Sequence, residues 1–181
     1  MRRRVQLAGA VALVALLGVV AAAVATSSGS SISERLKGYE EVPAVSTEGN
    51  GRFQAWISRF DDSIRYRLSY RELEGAVLQA HIHLGQEHVN GGISVWLCGN
   101  PRTTPPIVTP PPNTPACPPA PATVTGEIGP EDVVGPASQG IAAMEFDELV
   151  RAIRAGVTYA NVHSEKFPGG EIRAQLDGAR D

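Results

Sequence analysis

The strongest constraint on this chain is an alternation of apolar and polar residues with a period of two. Over residues 64–70, Ile64, Tyr66, Leu68 and Tyr70 share one face while Arg65, Arg67 and Ser69, continued by Arg71, share the other; this is the pattern of a half-buried strand. Phe53, Ala55 and Ile57 alternate in the same way with Arg52, Gln54, Trp56 and Ser58, and Asp61-Asp62-Ser63 turns the chain between the two runs, predicting a hairpin. Further strands are expected at 33–39, 78–84, 93–97, 123–128, 157–163 and 171–176, with turns at Asn90-Gly91-Gly92 and Phe167-Pro168-Gly169-Gly170. One short connector helix is expected, with Asp147 as N-cap, Leu149, Val150 and Ile153 at helical spacing, and Gly156 as the left-handed stop. Fourteen prolines and nineteen glycines exclude a mainly helical bundle. The fold class that follows is all-β: an antiparallel Greek-key sandwich or barrel of about eight strands.

The domain organisation is read from composition breaks. Residues 1–25 hold no acid, begin with Arg2, Arg3 and Arg4, continue as an apolar run from Val5, and end in Ala23-Val24-Ala25. That is the layout of a signal peptide cut before Thr26, with an uncleaved membrane anchor as the competing reading. Either places the domain outside the cytoplasm, secreted, periplasmic or at the cell surface, and membrane contact is expected only through this segment. Residues 26–32 read as a polar linker, 33–177 as the domain and 178–181 as a tail. The chain carries a formal charge of −3, which becomes −6 without the three leading arginines. An acidic balance without a basic cluster in sequence argues against a nucleic-acid partner. The stripe Arg65, Arg67 and Arg71 is read as a solvated face neutralised by Glu72 and Glu74.

The two cysteines, Cys98 and Cys117, bracket a segment crowded with prolines. An even pair flanking a loop in an exported chain is expected to form a disulfide. A redox or metal-binding thiol pair would call for close C-x-x-C spacing, which is missing. Residues 99–121 are therefore a proline-rich loop insertion, closed by a bridge.

Histidines carry the candidate chemistry. His81 and His83 are two apart on a strand, so their side chains leave the same face about 6.6 Å apart at the backbone. Leu78, Ala80, Ile82 and Leu84 point the other way, which puts both imidazoles on the outer face of the sheet. If Ala160 and Val162 point inward, His163 shares that outer face. Three imidazoles without thiolate suit copper or zinc, and Cu(II) leads the divalent affinity order. The 87–92 turn carries His88 as a candidate fourth ligand. Binding by such a site is expected to weaken below about pH 6, as protons compete for the imidazoles.

Four ordered phrases carry a family resemblance: Leu36-Lys37-Gly38-Tyr39-Glu40-Glu41-Val42-Pro43, then Ala80-His81-Ile82-His83, then Gly91-Gly92-Ile93-Ser94-Val95-Trp96-Leu97, then Tyr159-Ala160-Asn161-Val162-His163 through Pro168-Gly169-Gly170-Glu171-Ile172-Arg173-Ala174-Gln175-Leu176. Together they resemble the CHRD (chordin-type) domain over roughly 33–177. The resemblance implies an immunoglobulin-like sandwich, distantly similar to copper/zinc superoxide dismutases. His81-Ile82-His83 resembles the copper pair of those enzymes, and Val162-His163-Ser164-Glu165-Lys166 resembles a further copper-histidine stretch. The bridging and zinc ligands have no counterpart. Arg173 is the candidate for an anion-guiding arginine, or for one that supports the ligands from behind. The resulting expectation is an exported binding module with a mononuclear copper site, rather than an enzyme. The alternatives are a metal-free module that binds an extracellular protein, and a copper-only dismutase-like enzyme.

Overall fold

The computed structural model describes residues 30–177. The 1–25 segment, most of the linker and the 178–181 tail lie outside the described residues. Eight strands are formed: β1 (Ser31–Lys37), β2 (Asn50–Ile57), β3 (Ile64–Arg71), β4 (Val77–Leu84), β5 (Gly92–Gly99), β6 (Ala122–Ile128), β7 (Thr158–Ser164) and β8 (Ile172–Gln175), with one helix, α1 (Phe146–Arg154), between β6 and β7. All eight belong to one antiparallel sheet in the order β5-β4-β7-β8-β1-β2-β3-β6. The sheet curls into a nearly closed barrel. The Tyr66 hydroxyl on β3 donates to the Leu97 carbonyl on β5 at 2.7 Å, joining the two ends of the sheet across the interior. Strand β1 starts at Ser31, so the last two residues assigned to the linker are already in the sheet.

The expected periodicity decides the inside of the barrel. Leu36, Phe53, Ile64, Leu68, Ala80, Ile82, Leu97, Val162 and Ile172 are fully buried on the inner face. Each large apolar side chain so placed contributes roughly 2 kcal/mol, and a one-residue slip would turn the whole set outward, so the register is strongly fixed. The helix buries Phe146, Leu149, Val150 and Ile153 against the same core. It begins two residues earlier than expected, with Phe146 buried in the core. Glu145 is the N-cap residue without a side-chain cap bond, its carboxylate instead accepting from the Ala142 N–H at 2.7 Å. Asp147 therefore lies inside the first turn, near the positive end of the helix dipole. Gly156 does take a positive φ at the helix end.

Cys98 and Cys117 are bridged, with their Cα atoms 5.0 Å apart. The bridge ties the proline-rich excursion to the end of β5. Asn100 reinforces it, donating to the Val77 and Cys117 carbonyls and accepting from the Cys117 N–H. The Tyr70 hydroxyl adds a bond to the Pro118 carbonyl at 2.6 Å.

Candidate metal centre

Strands β4 and β7 pair so that Gln79 faces His163, His81 faces Asn161 and His83 faces Tyr159. With Ala160 and Val162 in the core, the alternation sends Tyr159, Asn161 and His163 to the same side as His81 and His83. On the other flank of β4 the register with β5 shifts twice, between Ala80 and His81 and between Ile82 and His83. Each shift adds one residue to β5, Leu97 and then Ser94. Bulges of this kind re-aim neighbouring side chains, and both sit beside a histidine.

The result is a compact cluster. His81, His83 and His163 each offer a nitrogen, and the three donors lie within 4.8 Å of one another. His81 Nδ1 stands 3.1 Å from His163 Nε2. Two nitrogens each about 2 Å from a common ion are about 3 Å apart, so this pair already has the separation that a shared ion requires.

The hydrogen bonds behind the rings settle two tautomers. His83 Nδ1 donates to the Gly91 carbonyl at 3.0 Å, and His163 Nδ1 donates to the Pro168 carbonyl at 3.0 Å. A carbonyl can only accept, so both Nδ1 atoms carry the proton and both Nε2 atoms present a lone pair. The Nε2 atoms of His81 and His83 are buried without a partner. A buried polar atom left unsatisfied costs about 1–3 kcal/mol, and a cation coordinated by His83 Nε2 would remove that cost for His83.

Although the imidazoles leave the outer side of the sheet as expected, they are not at the surface: His81, His83 and His163 are 0, 7 and 6 % exposed. The outer face of β4, β7 and β8 is roofed by loops. Arg173 on β8 holds the roof. Its guanidinium lies 3.4 Å above the Tyr159 ring, and Tyr159 in turn stacks on His83 with centroids 4.7 Å apart. The same guanidinium donates to the Val89 and Gln86 carbonyls and to the Asn90 side chain, and Asn90 donates to the Val42 carbonyl. Gly91 closes the turn where no side chain fits, since a Cβ there would stand 1.6 Å from the Leu84 carbonyl oxygen.

Burial also governs the electrostatics. Desolvation lowers all three imidazole pKa values. His83 falls from the ordinary 6.5 to about 4, with the Arg173 charge adding to the effect. His163 falls to about 4, helped by His83, and His81 is pushed lower still by burial and by both neighbouring imidazoles. The three rings are neutral donors at neutral pH, as metal ligation requires. Nearby, burial raises the Glu41 carboxyl to about 7 against the pull of Arg173.

The other sequence candidates are placed differently. His88 has an 80 % exposed side chain beside Glu87 and lies outside the cluster; its turn contributes backbone carbonyls instead. Arg173 is 1 % exposed with its donors taken up by the loop, so it acts from behind the histidines and does not face solvent as an anion guide. Three participants went unread in the sequence. Tyr159 and Asn161 share the alternation that placed His163, and Asn161 reaches to 3.1 Å from His163 Nε2. Trp96 packs edge-on against His81 with centroids 4.3 Å apart. Its nominally outward position was the available signal.

The profile of the CHRD domain matches residues 32–176. The chain belongs to the CHRD-domain family. No curated protein and no solved structure is significantly similar to it. The match spans all eight strands except the first residue of β1, so the CHRD domain here comprises the whole barrel, and the histidine cluster lies within it.

Proposed function

We propose that this CHRD domain is an extracytoplasmic binding module whose centre is a mononuclear metal site held by His81, His83 and His163, with copper the favoured ion. The observation that carries the reading is the convergence of three buried, neutral imidazoles, two of which, His83 and His163, have their rear nitrogens fixed by backbone carbonyls. His83 and His163 would bind through Nε2, and His81 through Nδ1, the atom already beside His163 Nε2. Imidazole donors without thiolate accept Cu(II), which heads the affinity order. When bound, copper would supply one-electron redox chemistry or simple storage and transfer. The sealed roof and the engaged Arg173 favour binding over turnover of a small anion. Export is supported by the Cys98–Cys117 bridge and by the leader-like 1–25 segment.

Copper titration of the wild-type protein against His81→Ala and His163→Ala tests the site. A large loss of affinity in both variants is expected. Equal affinity in all three proteins would overturn the reading and leave a metal-free interaction module.

A further inference from the structure

Far from the histidines, the outer side of β1, β2 and β3 collects six cations: Arg35, Lys37, Arg52, Arg65, Arg67 and Arg71. Three of them, Arg65, Arg67 and Arg71, form the β3 stripe seen in the sequence, and the ladders add Arg35, Lys37 and Arg52 from β1 and β2. Arg35 and Arg52 stand directly opposite each other across the β1–β2 ladder, a like-charge pairing that is unfavourable without a counter-charge. The expected neutralisation occurs only at Arg71, 3.7 Å from Glu72, which also accepts from the Asn50 amide. Glu74 pairs instead with Lys166. Among the described residues no acid forms an ion pair with Arg35, Arg52, Arg65 or Arg67. Of the outward positions on the four adjacent strands only Glu127 is acidic, at the far end of β6 opposite Arg65. In a chain whose formal charge is −3, six cations on three adjacent strands concentrate positive charge on this face, bordered on the β1 flank by Glu34, Glu40, Glu87 and Asp177.

One end of the face is recessed, with Arg65, Arg67 and Trp56 outside the recess. The recess is a groove of about 830 Å³, lined by Arg35, Lys37, Arg52 and Arg71 and by the neutral groups of Asn50 and Ser69. Gln54, Thr123 and Thr125 continue the neutral hydrogen-bonding groups along the ladders. Trp56, 40 % exposed, stands between Ser31 and Arg65 at one end.

We propose that this face binds an acidic polysaccharide, a chain of sugars bearing carboxylate or sulfate groups. Guanidinium groups match both anions in bidentate geometry, the interleaved amides and hydroxyls match sugar hydroxyls, and the indole of Trp56 offers a flat apolar platform for a ring. Other polyanions fit less well. The face has no protruding helix or ribbon to enter a duplex groove. An acidic peptide added as a strand needs a free sheet edge; β2 and β3 are paired on both sides and β1 meets β8 only at Lys37–Arg173, so the poly-glutamate arm below tests that occupant directly. The site is independent of the metal centre, which occupies the β4–β7–β8 side.

The test measures affinity of the whole protein for dextran sulfate and for polygalacturonate at low salt, with neutral dextran, poly-glutamate and duplex DNA in parallel arms. Binding to at least one acidic polysaccharide is expected, falling steeply with added salt. It should weaken at least tenfold in the Arg52→Gln/Arg67→Gln double variant and remain unchanged in His81→Ala. The glutamine variant keeps the strand and removes only charge, and unchanged thermal unfolding verifies its fold. Lack of binding to both polysaccharides, equal binding by the double variant, or equally tight binding of poly-glutamate, DNA or neutral dextran would overturn the proposal. The two polysaccharide arms separate a sulfate preference from a carboxylate one.

Discussion

Strands β4, β7 and β8 present His81, His83, His163 and Arg173 beneath a roof of loops, whereas β1, β2 and β3 present Arg35, Arg52 and Arg67 to open water. Both sets lie on the outer side of one sheet and obey one alternation. The difference shows that strand periodicity decides which way a side chain points, while the connections decide whether that direction ends in solvent. Under the roof, polar groups must satisfy one another or a ligand, so rings stack, tautomers are fixed and pKa values fall. In the open, cations stay hydrated and their neighbours matter little to the fold.

The comparison is broken most severely by removing a ligand from the roofed face. Changing groups that merely support a metal ligand costs about 10–100-fold in affinity, so His81→Ala or His83→Ala should cost more than about 100-fold in copper binding, measured by competition with a chelator. A smaller loss is expected for Arg173→Met, which keeps bulk above Tyr159 but releases the Gln86 and Val89 carbonyls. Affinity should fall by about tenfold, in line with loss of a supporting group, with faster metal release. Retention of wild-type affinity and release rate would show that the roof does not hold the ligands.

Acid should then sharpen the contrast through stability. His83 and His163 have folded-state values of about 4 against an ordinary 6.5, so between those limits the unfolded chain binds more protons than the folded one. Their contribution is complete above about pH 6.5 and is lost as pH falls towards 4. Glu41, held at about 7, acts oppositely, because the folded chain keeps its proton from pH 7 down to the ordinary carboxyl range. The imidazoles outnumber it, and His81, pushed lower still, adds to their effect, so the metal-free protein should lose at least about 3 kcal/mol between pH 7 and pH 4. Denaturant midpoints at several pH values measure this, and stability that rises on acidification would contradict the roofed electrostatics. The same burial shifts proton competition for the metal from the expected pH 6 towards pH 4. The smallest effect belongs to the open face: Arg67→Gln alone should change folding stability by less than about 0.5 kcal/mol, as read from thermal unfolding.

Legibility in the sequence followed the same division. Inner-face residues such as Phe53, Leu68 and Ile82 were readable because alternation and burial coincide there, and each strand was placed within about two residues of its ends. The three histidines were readable as sharing a side, because side-chain direction on a strand is local. Their burial was not, since it depends on how the turns carrying Gly91 and Pro168 fold back over the strands and on Arg173 holding the first of them. His88 was misplaced for the same reason: a turn that supplies backbone carbonyls looks, in sequence, like a turn that supplies its histidine. Of the cationic face only the Arg65, Arg67 and Arg71 stripe was legible, because Arg35 and Arg52 join it only through the β1–β2–β3 ladders.

The two tryptophans divide between the two faces, Trp96 against the His81 ring and Trp56 on the open side, 40 % exposed. The protein thus carries two built-in optical reporters. A paramagnetic ion among the imidazoles would quench the shielded indole and spare the hydrated one, so the bluer part of the emission would follow the metal. An acidic sugar chain laid across the arginines would instead disturb the redder part. A single emission spectrum can therefore follow both sites at once, without a label.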